Sequence, residues 1–233
     1  DTGFYSPATI SNSVAGAEGN RILFQGSTNF LAGGTVFTGG GANLTVLGRQ
    51  IHLVDIRAIG GDEGLKLTGA NYNLIERFWA ISNSLYAFHL ETSAFSNQFR
   101  YCVAAGGGAA LRNNQDTMRG NYIEYSVLLS AYSGNALRIY TDSFSNMVGC
   151  IVGGVQGFNH SGNLPLEGMG NVFYGVQRFG SDMETLADLL QIRPNWKGNT
   201  VADPKFVNSA GLDFHLLSAS GCISNGVWMT NAA

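Results

Sequence analysis

The sequence predicts an all-β fold that winds as a parallel β-helix, a solenoid with about 24 residues per coil. The first observation is an asparagine in front of an apolar stretch, which recurs at Asn73, Asn97, Asn121, Asn146 and Asn171, with separations of 24, 24, 25 and 25 residues. The second is an apolar residue two positions after each of them, at Ile75, Phe99, Ile123, Val148 and Phe173. These five are expected to form an inward stack.

The third observation is that the segments between the asparagines are short, alternating and rich in β-branched and aromatic residues. Such segments indicate strands rather than helices. Stacked strands lie ~4.8 Å apart, so equivalent side chains sit above one another. An asparagine amide both donates and accepts hydrogen bonds and supports tight turns. The repeat therefore predicts an asparagine ladder along one corner of the solenoid.

The repeat divides the chain into three parts. Residues 1–40 depart from it and are expected to be an N-terminal tail or cap with an irregular first coil. Residues 41–180 are assigned to the β-helix coils. In residues 181–233, "SDMETLADLLQ" places Ser181 three residues before Glu184, a capping-box pattern that predicts a short helix. The strand-like stretches "KFVN" and "FHLL" then indicate a closing coil and cap.

The three cysteines do not make a disulfide framework. Cys102 and Cys150 lie two coils apart, hence ~10 Å if stacked, which exceeds the ~7 Å limit between Cα atoms for a bridge. Free, buried thiols are predicted at both positions. Cys222 near the end is also expected to be unpaired.

The stack, the ladder and the string "VADPKFVNSAGLDFHLLSASGCISNG" together resemble the right-handed parallel β-helix superfamily typified by pectate lyase-like proteins. The resemblance implies a single-stranded right-handed parallel β-helix with a short C-terminal helix and capping segment. It also implies a secreted protein. That superfamily contains polysaccharide lyases, hydrolases, epimerases, phage spikes, adhesins and scaffolds, so the fold alone does not specify an activity.

The composition and net charge of the chain limit the classes of binding partner to be expected. Charged residues make up 12% of the chain, while 32 residues are glycine and the net charge is −3. This charge gives no reason to expect nucleic acid or an anionic membrane as partner. No apolar run reaches the ~18 residues of a membrane span. The chain begins at Asp1 without a methionine and shows no signal peptide, which fits a processed, extracellular protein.

The strands "GLKLT", "AFHLE", "AALRN", "ALRIY" and "NLPLE" align across coils. The outward middle position then holds Lys66, His89, Arg112, Arg138 and Pro165, and the next outward position holds Thr68, Glu91, Asn114, Tyr140 and Glu167. Cationic side chains ~4.8 Å apart repel one another unless an anionic ligand or carboxylates lie between them. The candidates for carbohydrate binding are Lys66, His89, Glu91, Arg112, Arg138 and Tyr140, and the same residues except Glu91 are catalytic candidates. The alternative is a solvated strand face whose charges discourage aggregation.

Three residues after the ladder asparagines stand Glu76, Arg100, Glu124, Gly149 and Tyr174. Alternating charge in stacked positions predicts a salt-bridge ladder that controls register. The neighbouring Arg77, Tyr101 and Tyr125 are suited to sugar contact or to packing against another subunit.

Complete enzyme signatures are absent. The sequence lacks the polygalacturonase motifs and the acidic calcium cluster of pectate lyases, and no cofactor or metal is expected. In the related lyases a Lys, Arg or His removes the proton beside a uronate carboxylate while a cation neutralises that carboxylate.

Two hypotheses follow. The first is a secreted structural or adhesive subunit that self-assembles, through its coil ends or its N-terminal segment, into a filament or surface layer. The second is a lyase-like enzyme or binding protein for an acidic polysaccharide, with Lys66, His89, Arg112, Arg138 and Tyr140 at its site. The incomplete catalytic set favours the first and leans against an enzyme.

Overall fold

The computed structural model of the protein describes residues 2–29, 33–114, 119–130, 134–139, 144–159, 164–211 and 213–223. The strands of the first two coils are β1 (Gly3–Tyr5), β2 (Ala8–Ile10), β3 (Ile22–Gln25), β4 (Thr35–Thr38), β5 (Ala42–Val46) and β6 (Ile51–Val54). The next three coils contain β7 (Ile56–Ile59), β8 (Glu63–Thr68), β9 (Leu74–Glu76), β10 (Trp79–Asn83), β11 (Tyr86–Glu91), β12 (Gln98–Arg100), β13 (Val103–Gly106), β14 (Ala109–Asn113) and β15 (Asn121–Glu124).

The remaining elements follow in the same order. They are β16 (Val127–Ser130), β17 (Asn135–Arg138), β18 (Phe144–Val148), β19 (Ile151–Gly153), β20 (Gln156–Phe158), β21 (Glu167–Met169), β22 (Val172–Tyr174), α1 (Leu186–Ile192), β23 (Thr200–Val201), β24 (Phe206–Asn208) and β25 (Asp213–Leu216).

The strands form three parallel sheets that run along the molecule. Sheet A has the order β1-β4-β7-β10-β13-β16-β19-β22-β23, sheet B the order β2-β5-β8-β11-β14-β17-β20, and sheet C the order β3-β6-β9-β12-β15-β18-β21. Each turn of the chain adds one strand to A, then to B, then to C. The predicted all-β parallel solenoid with about 24 residues per coil and one short helix is confirmed.

The inward stack is confirmed for its first three members. Ile75, Phe99 and Ile123 are in register in sheet C and fully buried. Met147, not Val148, follows Ile123, because this coil keeps the 24-residue spacing whereas the predicted step was 25. The next coil is shorter, with Gly168 in register 21 residues after Met147. Phe173 is buried, but it lies in sheet A beside Val152. The prediction for those last two positions is wrong.

The asparagine ladder is likewise confirmed over three coils. The backbone N–H of Asn73 donates to Oδ1 of Asn97 at 3.1 Å, and the N–H of Asn97 donates to Oδ1 of Asn121 at 2.9 Å. The side-chain Nδ2 of Asn97 donates to the Ala70 carbonyl at 2.9 Å. Each amide therefore links two coils and satisfies a buried turn, which an apolar side chain would leave unpaired.

Asn146 and Asn171 do not belong to this ladder. Asn146 lies within β18 opposite Tyr122. Asn171 lies at the corner between sheets C and A, where its N–H donates to Oδ1 of Asn199 at 3.0 Å and its own Oδ1 accepts from the N–H of Cys150 at 2.9 Å. Asparagines at nearly equal spacing in the sequence therefore lie at different places in the β-helix. The prediction of a single column is wrong for Asn146 and Asn171.

The corner between sheets C and A has a left-handed backbone conformation that repeats from coil to coil. In successive coils it is turned by residues with φ between 47° and 68°: Asp55, Arg77, Tyr101, Tyr125, Gly149, Gly170 and Gly198. A side chain in this left-handed region costs roughly 1–2 kcal/mol, so the glycines fit more easily than the residues before them. The repeated corner gives successive coils the same turn.

The C-terminal end of the core is closed by α1 and Trp196. The Oγ1 of Thr185 accepts from the N–H of Asp188 at 3.2 Å, and Oδ2 of Asp188 accepts from the N–H of Thr185 at 2.8 Å. The predicted helix is confirmed, whereas Ser181 and Glu184 are the wrong capping pair, because the helix begins after Thr185.

Trp196 takes the place of an inward side chain in sheet C. It is 2% exposed, and a Cβ on Gly168 would lie 2.4 Å from its indole ring. Gly168 is the residue in register with Met147, so a glycine at that point of the inward stack makes room for the indole.

The antiparallel hairpin β24–β25 lies over the outer face of sheet A. This face carries a row of buried apolar residues: Ile81, Val103, Val127, Ile151 and Val172. Phe214 and Cys222 pack against that row. The Phe206 ring lies 6.1 Å from that of Tyr174, and the His215 ring lies 6.0 Å from that of Trp79. This segment therefore covers one side of the helix.

The first coil is the open end of the described molecule. β1, β2 and β3 are edge strands in their three sheets. Tyr5 and Ile22, which stand in register with Phe37 and with the buried Ile51, remain 38% and 37% exposed. Phe4 and Leu23 are exposed as well.

The cysteines are free and buried, as predicted. Burial raises the pKa of the Cys102 and Cys150 thiols to about 12. Buried thiols of this kind are chemically inert.

Candidate functional site

A column of cationic side chains runs up the outer face of sheet B. Lys66 and His89 are register partners, as are His89 and Arg112, and Arg112 and Arg138. The alignment predicted for these four residues is confirmed. They come from four adjacent strands, β8, β11, β14 and β17. We call them the cationic column.

The second outward column is only partly as predicted. Glu91 and Thr68 are register partners, and Asn114 follows β14, where its N–H donates to the Leu90 carbonyl at 3.1 Å. Tyr140 lies outside the described residues. Glu167 lies in β21 of sheet C, and Pro165 precedes that strand, so both assignments to this face are wrong. The described residues between β20 and β21 contain no further strand of sheet B.

Two residues that the sequence did not single out complete the site. Glu63 accepts a hydrogen bond from His89 at 2.6 Å between Oε1 and Nδ1, and its Oε2 lies 3.6 Å from Lys66 Nζ. Tyr86 packs its ring 5.0 Å from that of His89. Glu63 and Tyr86 are register partners, each three residues before a member of the cationic column. That shared offset was the available signal.

Arg112 is held over Tyr86. Its guanidinium carbon lies 4.7 Å from the centre of the Tyr86 ring, and Nη1 donates to the Tyr86 hydroxyl. Nη2 donates to Oδ1 of Asn114 at 2.8 Å. A cation over an aromatic face is stabilised by the ring quadrupole. Arg138, one strand further along, is exposed.

Carboxylates surround Lys66. Its Nζ lies 2.9 Å from Oε2 of Glu91. Burial by itself lowers the pKa of Lys66, but the hydrogen bond to Glu91 and the charges of Glu63 and Glu91 outweigh it and raise the pKa. Burial by itself raises the pKa of Glu63, but His89 and Lys66 outweigh it and lower the pKa. Lys66 is therefore held as a cation and Glu63 as an anion.

Several buried polar atoms on this face have no partner among the described residues. They are Nε2 of His89, Nε of Arg112 and Oγ1 of Thr68. His89 is 4% exposed. Buried polar atoms in folded proteins normally have a hydrogen-bond partner. Their lack of one is consistent with a ligand site.

Sheet C carries a second set of charges. Nε of Arg100 lies 2.9 Å from Oε2 of Glu124, so this step of the predicted salt-bridge ladder is an ion pair. Arg100 is also in register with Glu76, but the Glu76 carboxylate contacts His52 and Arg77 instead. The residue in register with Glu124 in the next coil is Val148 rather than Gly149, because the coil keeps a 24-residue spacing. Tyr174 lies in sheet A.

The corner beside this ladder holds a buried ion pair and an aromatic pair. Arg77 donates to both oxygens of buried Asp55, at 2.7 and 3.0 Å. The rings of Tyr101 and Tyr125 stack with centroids 5.5 Å apart. Arg77 and Tyr101 thus find their partners, Asp55 and Tyr125, in neighbouring coils of the same chain.

Across the described ranges, no three or more His, Cys, Asp or Glu side chains form a group that would hold a metal ion. No helix among these residues has the length and apolar character needed to cross a membrane.

Comparison with solved structures supports the fold. An alginate lyase from Paenibacillus sp. str. FPU-7 superposes with a TM-score of 0.55 at 13% identity, over 80% of this chain and 82% of that one. Pectate lyase Pel9A superposes with a TM-score of 0.54 at 14% identity, over 94% of this chain and 81% of that one. No family model and no curated protein matches the sequence. The two lyases and this chain share the parallel β-helix fold.

Proposed function

We propose that the protein binds an acidic polysaccharide across the outer face of sheet B and acts on it as a polysaccharide lyase. The two solved neighbours are lyases, an alginate lyase and a pectate lyase, which supports this function over a purely structural one. We also propose that it works outside the cell, as the low share of charged residues and the lyase neighbours suggest.

The observation that carries the proposal is the cationic column itself. Its members are in register across four adjacent strands, which spaces them by ~4.8 Å along one line. Stacked like charges are costly unless compensated. Glu63 and Glu91 compensate Lys66 and His89 at one end, whereas Arg138 at the other end is exposed. A polyuronate chain along this line presents carboxylates at regular intervals to such a column.

The chemistry suits β-elimination. The step removes a proton from the carbon beside a carboxylate, so it needs a proton acceptor and a cation that neutralises the carboxylate. The column supplies cationic groups on both sides of an imidazole, all on rigid strands.

The test measures both cleavage and binding. Wild-type protein is incubated with alginate, polygalacturonate and glycosaminoglycans, and the absorbance of unsaturated products is followed. Retardation of the protein in gels that contain each polymer reports binding. The double variant Lys66→Ala, Arg112→Ala is expected to lose retardation and, at low substrate, cleavage. Arg100→Ala, which removes an exposed arginine from sheet C, is the matched control and should behave as wild type.

No product and no retardation with any of these polymers would reject the proposal. Unchanged retardation of the double variant would move the site away from sheet B.

A second candidate function is favoured by the open first coil. We propose that, if the protein has a structural role, two copies join through the edges of β1, β2 and β3, because these edges offer unpaired strands and apolar side chains. The other end is covered by α1 and Trp196, which disfavours a head-to-tail filament. Light scattering over a range of concentrations should then show a dimer that Leu23→Lys dissociates. A monomer at all concentrations would reject it.

A further inference from the structure

The members of the cationic column differ in what their nitrogen atoms contact. Nζ of Lys66 lies between Glu91 at 2.9 Å and Glu63 at 3.6 Å. Both carboxylates favour the ammonium form, which has three donors and no lone pair. Lys66 is therefore a fixed cation and a poor proton acceptor.

His89 is held in the opposite way. Its Nδ1 lies 2.6 Å from Oε1 of Glu63, and an ionised carboxylate only accepts hydrogen bonds. Nδ1 thus carries the hydrogen, and in the neutral ring Nε2 is left with the lone pair. The His89 side chain is buried, with 4% exposure, and its Nε2 has no hydrogen-bond partner among the described residues. A buried, oriented acceptor without a donor is what a general base presents before substrate binds.

Charged side chains lie on both neighbouring strands of His89. Glu63 and Lys66 face it from β8, Tyr86 and Glu91 lie on its own strand, and Arg112 faces it from β14. The cations of Lys66 and Arg112 therefore stand one strand away on either side of the imidazole. A carboxylate bound by these cations would bring its neighbouring carbon towards His89.

We propose that Nε2 of His89 is the proton acceptor of this site, that Glu63 is a positioning residue which fixes the His89 tautomer, and that Lys66 and Arg112 bind the carboxylate of a uronate unit. This inference rests on the proposed lyase function. The C–H bond beside the carboxylate breaks and its proton moves to Nε2. The electron pair forms a carbon–carbon double bond as the bond to the next sugar's oxygen breaks. Water protonates that oxygen, and the hydroxide produced takes the proton back from His89.

Among the described residues, the Arg112 guanidinium is held by the side chains of Tyr86 and Asn114. A substrate carboxylate competes for this guanidinium with a charge that neither residue has.

Three glutamine variants test this division of roles on the polyuronate that the wild type cleaves. His89→Gln should lower kcat by about 10²-fold or more while gel retardation persists. Glu63→Gln should lower kcat with little change in KM, because an amide can offer Nδ1 either an acceptor or a donor and so no longer fixes the tautomer of His89. Lys66→Gln should weaken binding and lower kcat less than His89→Gln does, because Arg112 still neutralises the carboxylate.

The control is Arg100→Gln, which should match the wild type in both assays, and thermal melting by circular dichroism verifies that each variant is folded. Glu63→Gln keeps the shape of the side chain, so it serves if His89→Gln fails to fold. Full turnover by His89→Gln with none by Lys66→Gln would overturn the inference and leave the lyase function standing. A loss in Glu63→Gln that falls on KM while kcat is unchanged would overturn the positioning role. A wild type that cleaves no polyuronate would overturn both.

Discussion

The outer faces of sheets A and B are built from the same coils and differ in what covers them. On sheet A the outward residues are apolar, and the β24–β25 hairpin buries them with Phe214 and Cys222. On sheet B the outward residues are charged, and they pair among themselves through Glu63, Glu91 and Tyr86. Apolar surface is stabilised by removal from water, whereas a charged row is tolerated only where each charge has a partner or solvent. One backbone thus supports a structural face and a candidate binding face.

The largest expected effect comes from placing a charge on the covered face. Val127 is fully buried beneath the hairpin. Val127→Asp should lower the free energy of unfolding by about 3–5 kcal/mol, because an isolated buried carboxylate has no counter-charge. Urea denaturation measures the change. The matched variant is Thr45→Asp, at the register partner of Lys66 on sheet B, which should change stability by less than about 1 kcal/mol. Similar losses for the two variants would remove the distinction between the faces.

A smaller effect is expected from loosening the hairpin. Phe214→Ala should cost about 3 kcal/mol, because a buried aromatic ring is lost from the contact with sheet A. If the lost free energy makes it easier for the hairpin alone to open, Cys222 should become exposed more often and react with a thiol reagent roughly 10²-fold faster. Cys102 and Cys150 lie in the core cluster and serve as internal controls that should stay unreactive. Equal acceleration at all three would mean that the molecule opens as a whole.

The smallest effect is a dependence on pH confined to the sheet B face. The pKa of Glu63 is lowered in the folded state, so Glu63 contributes stability that is present above its ordinary value of 4.5 and lost as pH falls through its folded value. Wild type should therefore exceed Glu63→Gln in stability at neutral pH, and the difference should shrink below about pH 4.5. Unfolding at several pH values measures this. The loss from Phe214→Ala, which involves no ionisable group, should not follow the same curve.

The sequence predicted the central coils well because their repeats are regular. Asn73, Asn97 and Asn121 share one corner and one hydrogen-bond pattern at a spacing of 24 residues. Lys66, His89 and Arg112 repeat on sheet B at a constant spacing of 23. Where each coil has the same length, residue spacing converts directly into vertical neighbours.

The prediction became less accurate where coil length changed. The predicted column stepped 25 residues to Val148, whereas the coil still has 24 and places Met147 there. The next coil has only 21 residues, up to Gly168, so Asn171 lies at a different corner although its spacing from Asn146 is regular. The spacing between residues in the sequence does not show at which corner of the β-helix each residue lies. The contribution of Glu63 was missed for a different reason. Its contact with His89 crosses from one strand to the next diagonally, at a separation of 26 residues that no column alignment contains.

The left-handed corner between sheets C and A has a consequence for how such a chain changes length in evolution. Since the turns at Arg77, Tyr101 and Tyr125 leave one strand and enter the next in the same way, the chain between any two of them is a self-contained rung. Removing or duplicating a rung joins two equivalent ends and leaves the rungs above and below in their places. On sheet B the same event would shorten or lengthen the row of cations by one, so under the proposed function the number of rungs would set how many units of a polymer the molecule contacts.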